Sequence, residues 1–213
     1  VAWGVTTLMA DQVDYVRLTL DPADPMRFLR EGVSVPFELR EETIAVRGGA
    51  AETLLVKWSP FGPVVEEAAG SVLARDWVAY HPGAERTVEA VRAFQTARDV
   101  PAFLVAARDF ASPGQNLVAA DVSGHIGYFP GGAIPVREDG DGSLPADGSD
   151  RRAGFHGLVP PQDFPALLDP ERGYVVTANN RIGTGPRAMR ISGSWYETFR
   201  ADRIVERIER RQA

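Results

Sequence analysis

The chain has 213 residues, of which 44% are hydrophobic, so it can bury one core or at most two. Its formal net charge of −6, with acidic and basic residues interspersed, argues against the concentrated basic surface that nucleic-acid binding needs. Cysteine is absent, which excludes disulfides, thiolate metal sites and cysteine nucleophiles and is compatible with an oxidising compartment.

The first half of the chain is predicted to be rich in β-strands. Short runs of β-branched and aromatic residues occur over residues 1–8, 13–20, 38–48, 52–58 and 71–80. Turn pairs such as Gly48-Gly49 and Ser59-Pro60 separate some of these runs. The first run starts at residue 1, although termini are usually polar, so we expect the chain to be a piece of a longer polypeptide.

Two helices are predicted next. Val88, Val91 and Phe94 have helical spacing and share one face of the first helix. The second helix is predicted to begin after Asp99, an acceptable N-cap residue, with Pro101 in its first turn.

The second half returns to strands and ends in a helix. Runs at residues 116–122 and 125–129 flank Ser123-Gly124, which predicts a hairpin, and residues 173–178 predict a further strand. Residues 136–152 are rich in Asp and Gly and predict a long surface loop, either functional or mobile. The final helix, over residues 201–211, is expected to bury a stripe made of Ile204, Val205 and Ile208. This mixture predicts an α+β fold rich in antiparallel strands, without a linker that forces a domain boundary.

The sequence excludes several kinds of site. It contains no G-x-S-x-G nucleophile elbow, no phosphate-binding glycine loop and no histidine pair with zinc-binding spacing. We interpret His81, His125 and His156 as ordinary loop or hairpin residues. No apolar run approaches the roughly 18 residues that span a bilayer, and residues 1–10 resemble a strand more than a signal peptide.

Two short polar patterns leave a choice of interpretation. Asp11 and Asp14 could share a hard cation through their oxygens, or they could belong to a polar turn between strands. Asn179 and Asn180 end an apolar stretch, with arginines behind them. They could form a turn, because Asn tolerates positive φ, or they could direct an amide donor at a ligand.

Six segments, taken in order, resemble the penicillin amidase (penicillin acylase) family of N-terminal nucleophile hydrolases. They carry an AWG-x-T element followed by D-x-x-D, a G-P element, an N-x-x-x-A-D strand with G-x-I-G-Y, a G-x-x-P element, TANN and RADRI. The segments lie at residues 1–22, 59–65, 115–137, 154–165, 177–181 and 199–204. Phe61 and Phe155 stand where the family usually has His and Trp.

The resemblance implies a mechanism and roles for three residues. Family members cleave themselves and expose a serine, which uses its own α-amino group as base and forms an acyl-enzyme with an amide substrate. The oxyanion of the intermediate then needs preorganised donors. The resemblance assigns these to the Asn179 side chain and the Thr7 backbone N–H, and it places Arg203 where an arginine orients the site. Asn180 is expected to be a turn residue.

The resemblance also implies a calcium site in some members. Asp11, Asp14 and the Val13 carbonyl match its D-x-V-D element, so we expect Ca²⁺ as a structural ion or no cofactor at all. A further aspartate expected before the final helix is not evident, since Ser192 and Ser194 stand in that region. Family members are usually exported, so we expect a periplasmic or secreted protein.

The expected architecture is part of a four-layer αββα sandwich, with residues 1–213 as a single domain or fragment of the large subunit. The nucleophile segment would lie upstream, a small companion subunit would complete the site, and the isolated chain is expected to be inactive. Substrates would be secondary amides with an apolar acyl group, such as penicillins or acyl-homoserine lactones. Two alternatives are a noncatalytic β-rich binding module, with or without calcium, and a family member that has lost its chemistry.

Overall fold

A computed structural model describes residues 1–183 and 191–212 of the chain. By its internal contacts the chain divides into two compact units. The first unit comprises Val1–Gln12, His81–Pro135 and Leu158–Ala213, and the second comprises Val13–Tyr80 and Val136–Gly157. The composition allowed one core or two, and the expectation of a single domain stays a prediction.

The described residues form mostly strands. These are β1 (Ala2–Thr7), β2 (Val13–Asp21), β3 (Asp24–Arg30), β4 (Val33–Pro36), β5 (Glu38–Ile44), β6 (Glu52–Ser59), β7 (Gly62–Ala68), β8 (Ser71–Trp77), β9 (Gln115–Ala120), β10 (Ile126–Gly131), β11 (Ala146–Asp147) and β12 (Leu167–Leu168). The helices are α1 (Arg86–Thr96), α2 (Val100–Ala107) and α3 (Phe199–Gln212), with short 3-10 turns at Val78–Tyr80 and Pro161–Asp163. The prediction of a mixed fold dominated by antiparallel strands is confirmed.

The first unit contains a four-stranded antiparallel sheet in the order β1-β9-β10-β12. The register places Thr6 opposite Asn116 and Thr7 opposite Gln115. The predicted hairpin joins β9 to β10, and the Asp121 carboxylate accepts hydrogen bonds from backbone N–H groups within that turn. In the part of the chain that the structure describes, β1 is therefore an edge strand.

An aromatic cluster forms the core of the first unit. The Phe94 ring lies 4.6 Å from that of Phe103 and 6.1 Å from that of Phe110, centroid to centroid. Helix α2 packs against β10 closely enough that a Cβ at Gly127 would lie 2.5 Å from Val100 Cγ1. Glycine at this position thus allows the close approach of helix and sheet.

Both predicted internal helices are present, but the buried face of α1 differs from the prediction. Asp99 caps α2 by accepting a hydrogen bond from the Ala102 N–H, as expected. On α1 the buried residues are Ala90 and Phe94, whereas Val88 is 62% exposed. The position of Phe94 in the aromatic cluster sets the orientation of the helix, and this tertiary contact is not visible in the local spacing.

Two expectations for the last part of the chain are wrong. Residues 173–178 have no strand partner among residues 1–183 and 191–212. The first bridge after them joins Asn180 to Tyr196. Helix α3 is present, but Ile204 is exposed while Val205 and Ile208 are only half-buried. Alternation and spacing predicted these features, but pairing and burial depend on neighbours that lie far away in sequence.

The second unit contains an eight-stranded sheet in the order β4-β3-β2-β8-β7-β6-β5, with β11 pairing parallel to β2. The sequence did not predict β3, β4 or β7. Along β2, buried Val16 and Leu18 alternate with exposed Tyr15 and Arg17. These buried residues join Phe28 and its neighbours in a core of their own. The predicted loop over residues 136–152 is mostly irregular, with the short β11 within it.

None of the described helices combines the length and the apolar character that a helix needs to cross a membrane.

The aromatic cluster yields a stability prediction. Phe103 is fully buried, so Phe103→Ala should lower the free energy of unfolding by about 3–5 kcal/mol. Val105 lies on the same helix but is 62% exposed. The control Val105→Ala should therefore change the free energy of unfolding by less than about 0.5 kcal/mol. Urea unfolding of the two variants measures the difference, and equal losses would contradict the assignment of the core.

Candidate active site

The structure brings together two of the residues that the resemblance singled out. The Asn179 side chain donates from Nδ2 to the Thr7 carbonyl oxygen at 2.9 Å, across 172 positions of sequence. Thr7 is the last residue of β1, and Asn179 follows the irregular stretch at residues 173–178. The contact places a side-chain amide at the end of an edge strand.

The backbone of Asn179 explains part of its placement. Its φ is 63°, in the left-handed region that Asn tolerates better than most residues. The neighbouring Asn180 accepts a hydrogen bond at Oδ1 from the N–H of Ala178, two residues back along the chain. The segment therefore bends here, and the Asn179 amide contacts β1. The interpretation of this amide as a donor to a ligand stays a prediction.

Arg200 fixes the orientation of the Asn179 amide. Its Nη2 donates to Asn179 Oδ1 at 2.9 Å and to the Ala178 carbonyl oxygen at 2.6 Å. Since Oδ1 accepts from this cation, Nδ2 is the atom that faces Thr7. The guanidinium also lies over the Tyr196 ring, 5.5 Å from its centroid.

Arg203, which the resemblance places near the nucleophile, pairs with Glu206 on the next turn of α3. Its side chain is 59% exposed. Its predicted catalytic role remains a prediction. Arg200 and Arg203 are three residues apart, so they lie on the same face of the helix. This spacing could have indicated from the sequence that Arg200 also lies near the site.

The register of β1 determines where the Thr7 N–H points. The Leu8 N–H donates to the Gly114 carbonyl at 3.1 Å, which continues the pairing of Thr7 with Gln115. In an antiparallel ladder, pairs that exchange hydrogen bonds alternate with pairs that do not. The N–H of Thr7 therefore faces away from β9, while its carbonyl is reached by the Asn116 side chain. Asn179 Nδ2 contacts the carbonyl oxygen of the same residue.

A buried network supports the end of β1 from within the sheet. Asn116 is fully buried, and its Nδ2 donates to Thr6 Oγ1 at 3.2 Å and to the Thr7 carbonyl at 3.1 Å. Its Oδ1 accepts from the Tyr128 hydroxyl at 2.7 Å. Thr6 Oγ1 in turn lies 2.9 Å from Thr177 Oγ1, two residues before Asn179. Burial raises the pKa of Tyr128 far above its usual value, so the phenol remains a neutral donor.

The calcium ligands expected from the resemblance are arranged differently. Asp14 Oδ2 accepts from Arg137 Nε at 2.8 Å and Oδ1 accepts from Arg137 Nη2 at 2.7 Å, so the guanidinium engages both oxygens. Val13 begins β2 opposite Trp77, and the Asp11 N–H donates to the Ile191 carbonyl. Calcium needs six to eight oxygen ligands. Within residues 1–183 and 191–212, no group of three or more His, Asp or Glu residues could hold a metal. The expectation of a structural Ca²⁺ stays a prediction.

Comparison with known proteins gives the family. The sequence pattern of the penicillin amidase family matches residues 1–213. The chain belongs to the penicillin amidase family. The family resemblance read from the ordered motifs is therefore confirmed.

Relatives of known activity cover nearly all of the chain. It is 28% identical over 210 residues to acyl-homoserine lactone acylase QuiP of Pseudomonas fluorescens, with 96% of this chain and 26% of that protein covered. It is 29% identical over 211 residues to the penicillin acylase 2 proenzyme of Pseudomonas sp. strain SE83, with 98% and 27% covered. The chain thus spans about a quarter of the length of these relatives.

A solved structure shows the same fold. The thermostable penicillin G acylase of Alcaligenes faecalis matches 93% of this chain with a TM-score of 0.80 and 26% identity, over 35% of the acylase chain. The penicillin acylase fold expected from the motifs is therefore observed in this part of the protein.

Proposed function

We propose that this chain is part of an acylase-type amide hydrolase and supplies the donors that stabilise the oxyanion. The observation that carries the proposal is the contact of Asn179 Nδ2 with Thr7 at the edge of β1. Membership of the penicillin amidase family supports it, as do relatives named penicillin acylase and acyl-homoserine lactone acylase.

The chemistry follows from the positions of these donors. A nucleophilic oxygen attacks the amide carbon, and the carbonyl oxygen becomes an anion. The Thr7 N–H, which faces away from β9, and the Asn179 amide donate to that oxygen. An amide nitrogen carries two hydrogens, so Asn179 Nδ2 can hold the Thr7 carbonyl with one and the oxyanion with the other. The C–N bond then breaks as the amine takes a proton, and water hydrolyses the acyl-enzyme.

Arg200 acts on this step through Asn179. By binding Asn179 Oδ1 it prevents the amide from flipping, so the donor hydrogens stay directed at β1. Its fixed positive charge also favours an anion nearby. Arg203 retains the role that the family resemblance gives it, as a residue that orients the site.

The rest of the catalytic machinery is proposed to come from the same precursor. A serine exposed by self-cleavage would be the nucleophile, and a small companion subunit would complete the acyl pocket. The substrate class is a secondary amide with an apolar acyl group, which includes the penicillins and acyl-homoserine lactones named for the relatives. We further propose export to the periplasm or beyond, as is usual in the family.

The Asn179 amide can be tested by an isosteric change in the full-length protein. Asn179→Asp keeps the shape and the tolerance of positive φ but removes the donor hydrogens. We expect kcat to fall by about 10²–10³, with KM little changed, because the donor acts mainly on the oxyanion. Steady-state hydrolysis of an apolar-acyl p-nitroanilide measures this. Asn180→Asp is the matched control, and a full kcat in Asn179→Asp would contradict the proposed oxyanion role of Asn179.

The role of Arg200 can be tested separately. Arg200→Met should lower kcat by on the order of tenfold, because Asn179 would be less well oriented. This loss is smaller than the one expected when the Asn179 donor itself is removed. Arg207→Met removes an exposed arginine from the same helix and should leave kcat unchanged. Measuring Arg203→Met in parallel tests the role that the resemblance assigns to it. If Arg200→Met behaved like Arg207→Met, the positioning role of Arg200 would be wrong.

A further inference from the structure

We propose that Asn116 is a positioning residue that aims the Thr7 N–H at the oxyanion, and that Tyr128 sets the orientation of Asn116. The inference rests on the proposed function. It extends the site from the two donors to a buried pair of residues in the next two strands, neither of which touches the substrate.

The first step is that Thr7 is held from two sides. Its carbonyl accepts from Asn116 Nδ2 at 3.1 Å and from Asn179 Nδ2 at 2.9 Å. The following Leu8 N–H is bonded to the Gly114 carbonyl. The peptide after Thr7 is thus fixed at both its oxygen and its nitrogen. Rotation at the end of β1, which would redirect the Thr7 N–H, would break these bonds.

The second step is that Tyr128 decides which way the Asn116 amide faces. Asn116 is fully buried, so each of its polar atoms needs a partner. Tyr128 can donate to Oδ1, and a phenol that stays neutral keeps doing so. With Oδ1 so engaged, Nδ2 must face Thr6 and Thr7. A flipped amide would place Oδ1 against the Thr7 carbonyl, where two acceptors repel.

The geometry has a cross-strand origin. Asn116, on β9, lies opposite Thr6 of β1. Tyr128, on β10, lies opposite Val118, which is two residues further along β9 than Asn116. Residues two apart on a strand share a face, so the Tyr128 hydroxyl reaches Asn116 diagonally. The sheet itself therefore carries the orientation from β10 through β9 to the end of β1.

The test uses two conservative variants of the full-length protein. Asn116→Asp removes the donation to Thr7 while keeping the shape, and Tyr128→Phe removes only the hydroxyl that orients Asn116. We expect kcat to fall by on the order of tenfold in Asn116→Asp, which is less than the loss expected when an oxyanion donor is removed. In Tyr128→Phe the loss of kcat should be smaller still. KM for an apolar-acyl p-nitroanilide should stay within about twofold, since ground-state binding is not involved.

A second readout separates positioning from a general loss of structure. An alkylboronic acid forms a tetrahedral anionic adduct with an active-site hydroxyl, so its affinity should fall in parallel with kcat. Ser59→Ala, which removes a buried hydroxyl bonded to the Gly62 carbonyl in the other unit, is the matched control and should change neither quantity. If Asn116→Asp does not fold, Tyr128→Phe still tests the inference.

The outcomes distinguish this inference from the proposed function. Unchanged kcat in both variants, or a rise in KM at constant kcat, would overturn the positioning role while leaving the hydrolase intact. A full-length protein that hydrolyses no amide and binds no boronic acid would overturn the proposed function, and the inference with it. Parallel losses of kcat and boronic-acid affinity support both.

A different observation in the second unit carries a second proposal. We infer that Arg137 supplies the positive charge for Asp14 that a bound cation would otherwise supply, so this element of the protein is independent of calcium. The two side chains are 10% and 9% exposed and meet through two hydrogen bonds. A divalent ion at the same carboxylate would be repelled by the guanidinium.

The surroundings of the pair are built for an arginine. The guanidinium lies over the Phe155 ring, 5.5 Å from its centroid, where a planar cation is favoured. Gly142, with φ of 81°, packs directly on the pair: a Cβ there would lie 2.5 Å from Asp14 Oδ1 and 2.9 Å from Arg137 Nε. The Asp- and Gly-rich stretch that the sequence predicted as a long surface loop thus covers a buried ion pair.

Calcium titration of the full-length protein tests this proposal. We expect the melting temperature to be the same in calcium and in EDTA. Calorimetry should detect no calcium binding at Asp14, so the heat measured with Asp14→Asn should equal that of the unaltered protein. Arg137→Met should lower the melting temperature because it leaves a buried carboxylate unpaired, whereas the exposed control Arg151→Met should not. Saturable calcium binding that Asp14→Asn abolishes, or an Arg137→Met variant that melts like the unaltered protein, would overturn it.

Discussion

The candidate site depends on the hydrogen bonds accepted by one carbonyl group, that of Thr7 at the end of β1. Amide donors from two distant parts of the chain, Asn116 and Asn179, meet on this oxygen. Because the ladder with β9 leaves the N–H of the same residue facing outward, holding the carbonyl also sets the direction of that N–H. This is the edge of the sheet at which we propose that the oxyanion is stabilised.

This constraint gives different tasks to residues that look alike in sequence. Asn179 is half-buried and is kept from flipping by a cation, Arg200. Asn116 is buried and is kept from flipping by a neutral phenol, Tyr128. A buried amide is satisfied by a neutral partner at little desolvation cost, whereas a charge at the open end of the strand can also act on a substrate. In the proposed site, the residue that supports the backbone is thus distinct from the residue that donates to the oxyanion.

The sequence predicted the class of the fold and most of its local elements, because strands, caps and hairpins are specified by nearby residues. Asp99 and the Ser123-Gly124 turn are examples. Thr7 and Asn179 could be paired only through the family resemblance, since 172 positions separate them. The partners of Asp14 and Asn116 escaped prediction for the same reason: Arg137 is 123 positions away, and the Tyr128 contact requires the strand register. Arg200 was missed because Arg203, three residues on, fits the motif better.

The central claim is that the Thr7 and Asn179 donors serve a nucleophile released by self-cleavage of a longer precursor. The most direct test is to express the full-length gene product and determine intact masses and N-terminal sequences of the chains that accumulate. The account predicts two chains, the larger one beginning with serine and continuing into Val1-Ala2-Trp3. A single uncleaved chain, or a mature N-terminus without Ser, Thr or Cys, would leave these donors without an oxyanion to bind and would contradict it.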